Sequence, residues 1–221
     1  MGCNIIRDAR MSIHQIALGQ FQRLRIASFW LIAALLCGFV LFFHSGWAHY
    51  QPLGIDIEEI IEIAGLGLIG IAIAGRLWCT LYIGGRKAAE LVQDGPYSMT
   101  RNPLYLFSTI GAMGVGAQTG SMVVAAICGV LAAFILSITT RREEHHLRET
   151  FGEAYDAYLA RVPAFIPNPR LFHDPKTLTI LPERLYGTLR DGLIFFLAMP
   201  AFELVEYVQD LGLLPILFRL Y

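Results

Sequence analysis

NPLYLFSTIGAMGVGAQTGSMVVAAICGVLAAFILSITT, residues 102–140, contains no charged side chain. At about 1.5 Å per residue, one helix of this length would be nearly twice as long as the ~30 Å hydrocarbon core of a bilayer is thick, so the segment must fold back on itself. GAQTG at 116–120 is the only polar, glycine-bracketed interruption, and it places a tight turn between two spans. GAMGVG at 111–116 follows an apolar helix rather than a strand and does not fit G-x-G-x-x-G. Its glycines are read as small residues that let helices approach closely.

The rest of the chain agrees with a membrane location. Of 221 residues, 55% are hydrophobic and 16% charged, against about 25% charged in soluble domains. A net charge of −1 excludes a broad nucleic-acid-binding face, which needs clustered excess Lys and Arg. Ile26 to Phe43 forms a first apolar run, and the basic segment before it is expected to stay attached as part of a first helix. Ile63 to Ile83 forms a second, interrupted by Arg76, which is expected to snorkel to the interface. A final run, from Gly192, is broken by Pro200, Glu203, Glu206 and Asp210 and reads as a short or broken fifth span. The four cysteines, Cys3, Cys37, Cys79 and Cys128, show no C-x-x-C spacing and suggest neither a zinc site nor a disulfide framework.

Lys and Arg are concentrated in the N-terminus, residues 84–101 and residues 141–190. By the positive-inside rule these parts lie in the cytosol. DGPYSMTRNP (94–103) and RREEHHLRETFGEAYDAYLARVP (141–163) then meet on one side of the membrane. From Arg141 to Arg161, Leu147, Phe151, Tyr155 and Tyr158 recur at spacings of four and three, the pattern of an amphipathic helix with one buried face. Glu143 and Glu144 stand beside that face, and Glu144 is placed to pair with Arg148. VPAFIPNP (162–169) carries three prolines, which forbid a helix and favour an extended strip that could lie across the helix ends as a lid. Adjacent His145 and His146 point about 100° apart on a helix and lack a third partner, so no metal site is read there.

DGPYSMTRNPLY, then an apolar hairpin, then RREEHHLRETFGEAYDAYLARVPAFIP together resemble the isoprenylcysteine carboxyl methyltransferase family and its relatives, the phospholipid N-methyltransferases. The resemblance covers roughly residues 84–170. It implies an all-α integral membrane protein of about five transmembrane helices, with a cytosolic amphipathic helix and a proline-rich lid forming a cofactor pocket. The implied organisation is 1–83 with the first two spans, 84–170 as the methyltransferase core, and 171–221 as the broken terminal segment. The implied reaction is methyl transfer from S-adenosylmethionine to a lipophilic small molecule or lipid arriving from the membrane.

By the same resemblance, Gly95, Pro96, Tyr97, Arg101, Asn102 and Tyr105 would form one wall of the cofactor site, with helix-start amides available to an anion. Glu143 and Glu144 would supply the other wall, and Phe165, Ile166 and Pro167 would close over the adenine side. Arg142 and Glu144 are the candidate catalytic pair, Arg142 to orient an anionic nucleophile and Glu144 to serve as base for an amine. Asn102 stands where the family has histidine and cannot titrate. Two other readings remain open: an NADPH-dependent reductase of the sterol-reductase type, and a non-catalytic membrane scaffold. The acceptor's chemistry and the oligomeric state are not legible.

Overall fold

The computed structural model describes residues 38, 43–45, 47, 56–84, 90–216 and 218–220. The first expected span lies almost wholly outside them. The described chain is helical, apart from a short parallel pairing of β1 (Phe43–Ser45) with β2 (Phe218–Leu220). The helices are α1 (Ile57–Ile83), α2 (Pro96–Met99), α3 (Pro103–Ala117), α4 (Met122–Phe151), α5 (Glu153–Arg161), α6 (Pro182–Leu193) and α7 (Ala198–Asp210).

Local chemistry sets the helix ends. Asp56 caps α1 by accepting from the amides of Glu58 and Glu59, whose acidic side chains also suit the positive helix start. Pro103 opens α3, where its missing N–H leaves no bond unmade. The chain reverses over Gln118–Gly120, with Gly120 at φ 65°, and Ser121 caps α4 by accepting from Val124 N. The hairpin therefore turns where the polar interruption places it. Gln118 Nε2 donates to the Glu62 carbonyl at 2.9 Å, and Ser45 Oγ donates to the Gly120 carbonyl at 3.1 Å. These bonds tie the turn to α1 and β1.

α1 packs most extensively on α3, and α3 on α4. Glycine makes the first contact possible: a Cβ on Gly114 would stand 2.7 Å from the Gly65 carbonyl oxygen, and one on Gly65 2.8 Å from the Ala117 Cβ. The run 111–116 thus brings two backbones together. α6 packs on α1, where a Cβ on Gly192 would meet Ile73, and the 3-10 turn that follows it, Ile194–Leu197, reaches α3, where a Cβ on Gly111 would come near Phe195.

Among the described residues, two helices, α1 and α4, are long and apolar enough to cross a membrane. α3 has 15 residues, about 22 Å, less than a full span. The C-terminal segment is α6, a 3-10 turn over Ile194–Leu197, and α7, none of which reaches spanning length alone. α4 leaves Met122, Val123, Ile127, Val130, Leu131, Phe134 and Ile138 exposed, a face suited to lipid. The chain is a membrane protein with fewer full spans described than the five expected.

The single amphipathic helix expected over 141–161 is two helices. α4 runs on from the apolar segment to Phe151, and Gly152 at φ 52° breaks the path before α5. Arg148 bridges the break to Asp156 at 2.7 Å rather than pairing with Glu144. Replacing Gly114 with leucine should force α1 and α3 apart. We expect a loss of about 1–3 kcal/mol, the scale of core overpacking, measured as a lower Tm in detergent, with Gly67→Leu, in open space, as the control.

Candidate active site

A cavity of about 120 Å³ opens at the end of the bundle where α4 leaves its apolar stretch. Ile83 of α1, the loop Glu90–Val92, Tyr97 of α2, and Arg101, Asn102, Leu104 and Tyr105 at the start of α3 line one part. Glu143, Glu144 and Leu147 of α4, with Tyr155 and Tyr158 of α5, line the other. Two separated sequence motifs therefore meet across one hollow.

Arg101 joins them. Its Nε and NH2 both lie 3.0 Å from Glu144 Oε1, and NH1 donates to the carbonyls of Leu159 at 3.1 Å and Val162 at 2.7 Å. Those carbonyls belong to the end of α5, where a cation offsets both unpaired acceptors and the helix dipole. Arg101 is thus a brace between α3, α4 and α5, with most of its donors committed. Asn102 Nδ2 donates to the Ala164 carbonyl at 3.0 Å, as does Thr100 Oγ1.

The three tyrosines supply an apolar wall with polar tips. Tyr155 and Tyr158 lie with ring centroids 6.1 Å apart, and Tyr158 Oη donates to the Tyr97 carbonyl at 2.7 Å. Burial, with the Glu144 charge next, pushes the Tyr155 phenol up to about 12, and burial raises Tyr158 and Tyr97 as well. All three stay neutral near pH 7. Tyr97 Oη is buried and has no hydrogen-bond partner among the described residues, so it is the ring of Tyr97 that contributes to the cavity wall.

Several expected site residues take other places. Gly95, at φ 57° with the Tyr82 ring where a Cβ would go, gives its amide to the His173 carbonyl at 2.9 Å. The amides of Tyr105 and Leu106 both bond the Asn102 carbonyl, so they are not available to an anion. Gly95 and Pro96 are buried behind Tyr97 and do not line the cavity. Arg142 stands on the exposed side of α4, more than half a turn of helix from Glu144, and does not line it either.

Phe165, Ile166 and Pro167 also lie outside the lining, with Ile166 82% exposed. Their strip is fixed by its backbone, through Arg101 N to the Pro163 carbonyl and Asn168 N to the Met99 carbonyl, both 2.9 Å. It buttresses the 99–102 loop from outside and does not cover the hollow as a lid. Conversely, Tyr155 and Tyr158, read only as a buried face, and Glu90 are part of the wall.

At the opposite end of α1, Glu58, Glu62 and Glu206 bring carboxylate oxygens within 4.8 Å of one another. The sequence pairs Glu206 with Glu203 by spacing. Its approach to α1 depends on how α7 folds back, for which spacing gives no signal.

Fold and site together define a helical membrane protein with a carboxylate- and aromatic-lined cavity at the helix ends. Residues 63–154 match the sequence profile of the phospholipid methyltransferase family. A nickel-cobalt-cadmium resistance protein, NccN, of Alcaligenes xylosoxydans xylosoxydans is 42% identical over 210 residues, covering 94% of this chain and 90% of that protein. A cobalt-zinc-cadmium resistance protein, CzcN, of Cupriavidus metallidurans is 32% identical, covering 87% and 86%. Protein-S-isoprenylcysteine O-methyltransferase B of Arabidopsis thaliana is 26% identical over 137 residues, covering 58% and 66%. No solved structure matches. The chain belongs to the family of isoprenylcysteine and phospholipid methyltransferases.

Two outcomes test the site's construction. Arg101→Ala leaves Glu144 and the α5 carbonyls without their donor, and should lower stability by about 2–3 kcal/mol, read by thermal melts in detergent. Glu144→Gln keeps an acceptor toward Arg101 and should melt within a few degrees of the parent. The tyrosines set an alkaline limit. Tyr155 titrates at about 12 when folded against 10.0 unfolded, so its contribution is complete below pH 10 and is lost as pH rises toward 12. Tyr155→Phe should flatten the fall in Tm above pH 10.

Proposed function

We propose that this chain is an integral membrane S-adenosylmethionine-dependent methyltransferase acting on a lipophilic or amphipathic acceptor that reaches the cavity from the membrane. The observation that carries the reading is the lining itself: Glu90, Glu143 and Glu144 beside the rings of Tyr97, Tyr155 and Tyr158, with Arg101 already engaged. Carboxylates beside a guanidinium already committed to the protein favour a cationic ligand, and aromatic faces favour ammonium and sulfonium groups. At about 120 Å³ the cavity is smaller than the ~300–1,000 Å³ typical of whole-ligand pockets. It therefore seats the charged end of such a molecule.

S-adenosylmethionine supplies an electrophilic methyl group on a sulfonium. The protein's part is to bind, align and exclude water. Glu143 and Glu90 hold positive charge at the rim. Glu144 Oε1 is fixed by Arg101, while Oε2 is left to accept from a ligand ammonium or to take the proton of an amine nucleophile. The rings of Tyr97, Tyr155 and Tyr158 keep the floor dry. The Lys and Arg bias of residues 84–101 and 141–190 supports a cytosolic position for this end.

The same lining disfavours NADPH, whose 2′-phosphate would face carboxylates, the one cation among the described lining residues, Arg101, being committed to the protein. The resistance to metal ions in the names of two relatives fits methylation of a membrane component, since the lining holds neither cysteine nor histidine among the described residues.

The test is calorimetric titration of the detergent-purified chain with S-adenosylmethionine, S-adenosylhomocysteine and NADPH. We expect saturable binding of the adenosyl compounds alone, weakened at least about tenfold, or about 1.4 kcal/mol, by Glu144→Gln. Binding of NADPH alone would overturn the reading in favour of a reductase, and binding of none would leave a scaffold. Glu144→Gln expressed in a metal-challenged host should also lose any resistance that the parent confers, and retained resistance would separate it from methyl transfer.

A further inference from the structure

Beyond residues 63–154, which the family profile covers, the chain returns to the cavity end. Residues 168–178 lie as a strap along the turn that carries Tyr97. Leu171 packs into the cluster of Tyr155, Tyr158 and Val162, and Leu178 into that of Cys79, Tyr82 and Tyr97. Between them the rings of Phe172 and Trp78 lie with centroids 6.3 Å apart, and Asp174 accepts from Tyr82 Oη at 2.8 Å. The backbone of His173 completes the join: its carbonyl accepts from Gly95 N at 2.9 Å and its amide donates to Ser98 Oγ at 3.2 Å. The strap therefore touches both groups of rings that wall the cavity.

The side chain of His173 is the part of this contact that protons can change. Its two ring nitrogens face two oxygens: Nδ1 lies 3.1 Å from the Leu171 carbonyl, and Nε2 lies 3.2 Å from Asp94 Oδ1. Both oxygens only accept, and a neutral imidazole has one N–H to give. The neutral ring makes one of these bonds, whereas the imidazolium makes both, the second with charge assistance. Neighbouring charges are otherwise engaged. Asp174 is taken by Tyr82 Oη from α1, and Arg161 at the end of α5 donates to Gln93 Oε1 at 2.6 Å. Among the described residues the strap's own cations, Arg170 and Lys176, form no ion pair with Asp94. Of these residue types, histidine is the one whose ordinary charge change falls between about pH 5 and 8. The His173 side chain is 53% exposed, so protons reach it directly.

We propose that His173 is a positioning residue for the cavity: as an imidazolium it latches the strap to Asp94 and holds the Tyr97 wall in place, and on losing its proton it loosens the turn and weakens ligand binding. The sign follows from the donors, since the second bond exists while the ring is charged and goes as pH rises. The effect reaches both sides of the hollow, because the Tyr97 carbonyl accepts from Tyr158 Oη. The latch stands on this geometry, and its effect on cofactor binding rests on the methyltransferase reading. Both partners are partly in water, so the latch tunes binding by about two- to fivefold, the scale of an exposed ion pair.

The experiment titrates the full chain in phosphatidylcholine nanodiscs with S-adenosylhomocysteine by calorimetry, in steps from about pH 5.5 to 8. Amide exchange of the peptide spanning the Asp94–Met99 turn is followed by mass spectrometry on the same discs, with the intrinsic pH dependence divided out. Over this range the Kd of the parent should rise about two- to fivefold more than that of His173→Gln, and exchange of the turn should rise with it. His173→Arg, which keeps a cation beside Asp94 at every pH, should bind tightly with slow exchange throughout, and Asp94→Asn should behave like His173→Gln. A purely structural role would weaken binding in His173→Gln equally at every pH. That outcome, or turn exchange with the same pH profile in parent and His173→Gln, would overturn the proposal. Absence of S-adenosylhomocysteine binding from the parent at every pH would sink the methyltransferase reading, and the exchange profiles would then decide the latch by themselves.

Discussion

The guanidinium of Arg101 holds the cavity together. It faces a carboxylate on α4 and two carbonyls at the end of α5 from the residue just before the N-cap of α3. Each acceptor alone is ordinary, but one planar fork satisfying three elements fixes their relative positions in a way that apolar packing, which is non-directional, does not. The proline strip strengthens this arrangement from outside, because its carbonyls receive the Arg101 amide and the side chains of Thr100 and Asn102. Without the brace, Glu144 would be a carboxylate on a helix surface and the tyrosines of α5 would have no fixed partner across the hollow.

The brace also changes what the neighbouring motif residues do. Arg101 and Asn102 are polar groups at a helix mouth, and the natural inference from their chemistry is ligand contact. Most of their hydrogen-bonding capacity goes to the protein itself. What faces the cavity is the set of groups they position: Glu144 through one oxygen, Tyr155 and Tyr158 through the orientation of α5, and Tyr97 through the loop that the strip supports.

The hairpin was legible because a charge-free run longer than a bilayer is thick has one polar interruption, and the glycines before it were legible as packing residues because they sit in an apolar helix. The meeting of Tyr97 and Arg101 with Glu143 and Glu144 followed from charge placement around that hairpin. The break at Gly152 was not legible, since the apolar spacing of Leu147, Phe151 and Tyr155 runs through it without a change of period. Nor were the partners of Arg101, two of which are backbone carbonyls, which carry no residue-type signature. Arg76 donates sideways to Ser108 on α3 rather than snorkelling to the interface, and that direction depended on whether α3 offered a hydroxyl at the same depth, a fact of helix register rather than of composition.

α4 passes without interruption from Met122 at the turn to the glutamates of the cavity. From Met122 to Glu144 the helix rises about 33 Å, close to the ~30 Å of a hydrocarbon core. The helix is therefore a ruler with the glutamates as its upper mark. A thicker bilayer would draw the carboxylates toward lipid or tilt the helix, and a thinner one would lift them into water. Hydration of the pocket thereby becomes a property of the surrounding membrane as well as of the protein, and the same chain in membranes of different thickness would hold its carboxylates in different dielectric surroundings.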